Sequence, residues 1–171
     1  MTIQEIVSGF STTPFIFAGS GITRRYYDLP DWKNLLLYFA KKVRGEDDLA
    51  FRYYENELSS DVSTEDRMPM IASHIEKDYN NLWFENRNGI RSGSNEVEKQ
   101  VLEGVSPFKA EIAAYIRNKS VQKYDYKSEI EKFRALTKNN LSGIITTNYD
   151  VFFETICDDY KVFVGQDELV F

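Results

Sequence analysis

The chain has 171 residues, which is enough for one domain with a real core and short of two. Apolar residues make up 42% and aromatics 15%, too rich a mixture for a disordered chain. The net charge of -6, with scattered Lys and Arg, argues against a nucleic-acid backbone as partner.

Cys157 is the single cysteine, so an intrachain disulfide and a cysteine-rich metal cluster are both excluded. The opening MTIQEIVSGFSTT lacks the basic and apolar regions of a signal peptide. No run approaches the roughly 18 apolar residues of a membrane span. A cytoplasmic protein that binds neither membrane nor nucleic acid is the expectation.

In chain order, Ile3, Ile6 and Val7 have helical spacing. PFIFA (14–18) reads as a short strand of a parallel sheet covered on both faces, ended by Gly19 and Gly21. Residues 29–45 read as a helix with Asp31 as N-cap, an apolar face of Trp32, Leu35, Leu36 and Phe39, basic Lys41, Lys42 and Arg44 near its end, and Gly45 as stop. A second helix is expected over 46–58. Residues 63–85 read as a polar cap region and then a helix from about Pro69. The glycine, asparagine and serine content of 86–98 predicts a mobile loop. Pro107 stands just inside a helix start in 106–119, and 126–139 is amphipathic through Ile130, Phe133 and Leu136. The β-branched run Ile144–Thr147 predicts a strand within 142–150. A short helix over 150–160 and a third strand, KVFVG (161–165), follow. There is no internal repeat. The expected class is α/β, a small parallel sheet with an enlarged helical insert at about 29–139.

Two stretches carry candidate chemistry. Gly19-Ser20-Gly21 follows a strand, and glycines let backbone approach a ligand closely. A helix after them would aim free N–H groups at phosphate, with Ser20 or Thr23 adding a hydroxyl. The spacing matches neither a dinucleotide fingerprint nor a lysine-containing phosphate loop, so by itself the motif is better explained by a tight strand-to-helix turn. Arg24, Arg25 and the tyrosines after them add cations and rings. The second stretch is Thr146-Thr147-Asn148-Tyr149-Asp150. Ligands bind beyond strand C-termini in open parallel sheets, so the two stretches meet if their strands are neighbours. Asn148 can grip a ribose hydroxyl, position a water, or serve only the turn. Asp150 can orient a ribose, but capping the next helix is the simpler role.

FAGSGIT followed by TTNYDVFFE, with VFVGQDEL closing, resembles the SIR2-like family, in particular its bacterial branch of anti-phage defence proteins. The glycine motif covers 17–23 and the second motif 143–154. The resemblance implies that 1–171 is the N-terminal part of a single Rossmann-like domain that takes NAD as substrate. It implies that Gly19, Ser20 and Gly21 hold the pyrophosphate, with Thr23 in the hydroxyl position. Thr147, Asn148 and Asp150 fall on the family's Gln-Asn-Asp arrangement, with Asn148 and Asp150 in catalytic roles. Arg24, Arg25 or Tyr26 would lie over the cofactor. Hydrolysis to nicotinamide and ADP-ribose is implied rather than lysine deacylation, because the deacylases carry a four-cysteine zinc module and this chain has one cysteine; no metal is expected. The resemblance also implies a catalytic histidine beyond Phe171. The only histidine, His74, lies mid-helix before the second motif. The expectation is therefore NAD hydrolysis by a chain cut before that histidine, an inactive fragment if nothing replaces the residue; the alternative is a noncatalytic NAD or ADP-ribose binding or assembly module. A homo-oligomer or a partner protein is expected in either case.

Overall fold

The structure, a computed structural model, describes residues 9, 11–45, 47, 49–86, 89–157 and 159–165. It is a mixed α/β protein with a two-stranded parallel sheet and several helices. Contacts divide it into two compact units, one drawn from Met1–Leu29 and Lys119–Phe171, the other from Pro30–Asn118. No helix of the described residues is long and apolar enough to cross a membrane.

In the sheet unit, β1 (Phe15–Ala18) runs parallel to β2 (Gly143–Thr146), with Phe15 opposite Gly143 and Ala18 opposite Thr146. Strand side chains alternate between faces. Ile16, Ala18 and Ile144 therefore share one face. They pack with Tyr26, Tyr27, Ile130, Phe152, Phe153, Ile156 and Cys157. The opposite face departs from the expectation of a doubly covered strand: Phe15 and Phe17 are 62% and 73% exposed, and Ile145 is exposed beside them. The Phe15 ring lies across Gly143, where a Cβ would come within 2.6 Å of its Cε1.

Around the sheet stand α1 (Ser20–Tyr26), α7 (Lys127–Asn140) and α8 (Phe152–Ile156), with a short 3-10 turn at Tyr124–Tyr126. Ile130 and Phe133 of α7 pack with the sheet cluster, and the helical unit spans Pro30–Asn118. The expected third strand at 161–165 is not a strand: Lys161–Val164 has no regular structure, and Val162, Phe163 and Val164 are exposed. Strand propensity makes no strand without a paired edge. The helix expected around Ile3–Val7 lies outside the described residues, as does most of the stretch after Val164.

The helical unit holds α2 (Trp32–Arg44), α3 (Ala50–Asn56), α4 (Thr64–Phe84), α5 (Asn95–Leu102) and α6 (Pro107–Lys119). Asp31 caps α2 by accepting from the Asn34 N–H at 2.8 Å, and Gly45 ends it at φ 96°. Helix α4 begins earlier than Pro69. The Ser63 hydroxyl accepts from the Asp66 N–H and donates to the Asp66 carboxylate, so the cap fixes the start. Pro69 then sits inside the helix, at the cost of one backbone bond. Leu36, Phe39, Ile71, Ile75, Tyr79 and Val97 form the fully buried centre.

The predicted mobile loop at 86–98 is tied down over its described part, and α5 takes up its second half from Asn95. Ile90 is buried, and its carbonyl accepts from the Tyr79 hydroxyl. Arg91 stacks on the Trp83 ring at 4.4 Å and donates to the Trp83 carbonyl. The buried Glu111 accepts from Trp83 Nε1 at 3.3 Å and from the Ser92 N–H at 2.9 Å. No local pattern joins a glutamate at 111 to a loop at 92, so the sequence leaves that anchor unseen. Removing it strands two donors. Glu111→Ala is expected to lower stability by about 2 kcal/mol or more in urea denaturation, and Glu111→Gln, which keeps a carbonyl acceptor, by clearly less.

Candidate functional site

The parallel register sets the candidate site. Ala18 and Thr146 end their strands side by side, so the chain leaves both strands at the same edge of the sheet. Gly19 is the N-cap residue of α1. Across from it, the Thr147 N–H donates to the Ala18 carbonyl at 3.4 Å, which extends the pairing one step past β2. The Asn148 N–H then donates to Thr146 Oγ1 at 3.1 Å, turning the backbone back toward the glycine loop.

That turn brings the two motifs together. Asn148 Nδ2 donates to the Gly19 carbonyl at 3.3 Å and to Thr23 Oγ1 at 3.4 Å. Thr23 is 1% exposed, and its hydroxyl donates to the Ser20 carbonyl at 3.2 Å. Asn148 Oδ1 is shielded from solvent and has no hydrogen-bond partner among the described residues. Gly19, Ser20 and Gly21 are exposed beside it.

Neither Gly19 nor Gly21 has a positive φ, so backbone conformation does not require a glycine there. A Cβ at Gly19 or Gly21 would meet nothing within 4 Å. What they contribute is open space at the start of α1, where the first N–H groups of a helix lack intrahelical partners.

No protein-family model, curated protein or solved structure matches this chain.

The residues after the glycines divide by role. Arg24 is exposed on α1, and its carbonyl accepts from Lys123 Nζ at 3.2 Å. Arg25 does not stand over the loop. Its guanidinium donates through Nε and Nη2 to the two oxygens of Glu129 at 2.9 and 2.8 Å, with the Tyr126 ring 4.9 Å away. The hydrogen bonds from Arg25 hold the Glu129 carboxyl below the usual carboxylate range. Tyr26 is buried and stacks on Phe152 at 5.1 Å, so it belongs to the core and not to a ligand surface. Asp150 Oδ1 accepts from the Phe152 N–H at 3.0 Å, a local Asx turn leading into α8, whose N-cap residue is Val151. Thr147 is exposed.

His74 belongs to the helical unit, on α4, where its Nδ1 lies 3.4 Å from Glu57 Oε2. Among the described residues, no group of three or more His, Cys, Asp and Glu is placed to hold a metal ion. The residue that sequence reasoning passed over is Glu129. It neutralises one of the two candidate cations from 104 positions away, and nothing in RRYY signals that pairing.

Proposed function

We propose that this chain carries a SIR2-like, Rossmann-type NAD site, and that its chemistry is hydrolysis of NAD to nicotinamide and ADP-ribose in bacterial anti-phage defence. The observation that supports this most is the hydrogen bond from the Asn148 amide to the Gly19 carbonyl, at 3.3 Å. It unites the glycine loop and the TTNYD segment at the C-terminal edge of a parallel sheet, where open α/β sheets bind ligands.

In this reading the pyrophosphate lies over Gly19, Ser20 and Gly21, where the missing side chains leave room and the helix start offers N–H donors. Thr147 lines the approach, Thr23 lies buried behind Asn148, and Arg24 supplies the cation on α1. Arg25 is left out, since Glu129 holds its guanidinium from both oxygens. Asn148 receives the nicotinamide ribose or the attacking water. The N-glycosidic bond breaks with its electron pair going to the pyridinium nitrogen, which leaves as neutral nicotinamide. Water adds to the anomeric carbon and its proton passes to solvent. Asp150 contributes negative charge near the developing oxocarbenium ion and holds the loop through the Phe152 N–H.

A second reading is a noncatalytic module that binds NAD or ADP-ribose, alone or in an assembly with copies of itself or a partner. The Asx turn at Asp150 favours it, because one oxygen of the only carboxylate in the TTNYD segment is already engaged by backbone.

The test is nicotinamide release from NAD by the purified chain, followed by liquid chromatography beside Asn148→Ala. The expected loss in the variant is about 100-fold or more, equivalent to about 2.7 kcal/mol of transition-state stabilisation. Full activity in Asn148→Ala removes Asn148 from the mechanism. Saturable NAD binding without turnover selects the noncatalytic module, and neither binding nor turnover defeats both readings.

A further inference from the structure

We infer that Thr23 is a positioning residue that fixes the polarity of Asn148, so that the side chain offers a ligand an acceptor and no donor. The ligand group this suits is a hydroxyl, as on a ribose, and not an oxyanion. The inference rests on the reading of Asn148 as the residue that meets the ligand.

The geometry leaves one orientation for the amide. The Gly19 carbonyl can only accept, so the NH2 end of Asn148 must face it. The other acceptor near Nδ2 is Thr23 Oγ1. Thr23 spends its own proton on the Ser20 carbonyl, which leaves an oxygen lone pair for Asn148. Because Thr23 is buried, water does not compete for that lone pair. Both donors of the amide are thereby turned inward, and Oδ1 remains without a partner among the described residues.

An unmet acceptor shielded from water favours whatever brings it an O–H or N–H. An oxyanion there would set negative charge against the carbonyl oxygen. Asn148 sits between exposed Thr147 and exposed Tyr149, on irregular backbone past the end of β2. The anion-holding and hydroxyl-holding tasks are thus separate, the first at the glycines and the second at Asn148.

The experiment follows the Asn148 side-chain NH2 pair by NMR in the 15N-labelled full chain, identified by its loss in Asn148→Asp. Thr23→Val keeps the shape and removes the acceptor; Thr23→Ser keeps the hydroxyl. Thr23→Val is expected to shift one proton of the pair and to speed its exchange with water at least about tenfold, as for loss of a hydrogen bond. Thr23→Ser is expected to restore the parent behaviour. A pair unchanged in Thr23→Val overturns the inference. The two readings fail separately. NAD cleavage by the parent with a Thr23-independent amide pair defeats the inference alone. A Thr23-dependent pair in a chain that neither binds nor cleaves NAD defeats the NAD reading alone.

Discussion

Phe152→Ala is expected to cost about 3–5 kcal/mol, a large part of the stability of a domain this size. Phe152 is 1% exposed at the first position of α8. Its ring stacks on Tyr26 at 5.1 Å and meets Tyr27 and Phe153 edge-on at 5.3 Å each. Removing it takes the shared neighbour from three aromatic rings and opens a cavity between α1 and α8. The same residue's N–H is held by Asp150, so the TTNYD segment is anchored through the element that loses its packing. Denaturant titration measures the loss, and hydrogen exchange at 143–148 locates it. Phe152→Leu refills most of the volume and is expected to recover more than half. An alanine variant within about 1 kcal/mol of the parent would show that the sheet unit does not depend on this ring.

How much of this was legible in the sequence depends on how local each signal is. Asp31 as a cap, Gly45 as a stop and Pro107 at a first helical position are decisions of three or four residues, and the structure has all three. The β-branched run at 144–147 likewise becomes β2 up to Thr146. Pro69 misled because proline reads as a boundary, while the Ser63–Asp66 cap fixes the boundary earlier. KVFVG misled for the opposite reason: its propensity is right for a strand, but a strand exists only by pairing. Which face of β1 is covered was also out of reach, since PFIFA is apolar at every position.

The candidate site divides in the same way. Its residue types were visible, because glycines after a strand and an Asn-Tyr-Asp after another are local patterns. Their meeting was conditional on β1 and β2 being neighbours, and the parallel register Ala18 to Thr146 meets that condition. The fate of the cations was not visible. RRYY offers two arginines as equals, and only the fold hands Arg25 to Glu129 while Arg24 stays exposed. The hydroxyl of Thr23 is the subtler case. As a motif position it reads as a ligand contact, yet burial turns it onto Ser20 and Asn148.

Phe39→Ala is the corresponding prediction for the helical unit, with an expected loss of about 3–5 kcal/mol. Phe39 is 1% exposed and lies among four rings: Tyr38 at 5.2 Å, Tyr79 at 5.4 Å, Phe108 at 5.2 Å and Tyr115 at 6.1 Å. All four of these contacts are edge-on, and each such geometry adds about 0.5–1.5 kcal/mol beyond burial alone. Tyr79 depends on the packing twice over. Its ring borders Phe39, and its hydroxyl donates to the Ile90 carbonyl in a setting where burial pushes the phenol well above its ordinary pKa. A cavity at position 39 lets Tyr79 relax and loosens the segment that Ile90 anchors. Phe39→Leu separates volume from ring geometry. If apolar volume is what matters, leucine recovers nearly all the stability. If the edge-on contacts matter as argued, leucine stays about 1–2 kcal/mol below the parent. Denaturant titration of the three proteins decides between these, and full recovery by leucine would reduce the aromatic cluster of the helical unit to packing by size.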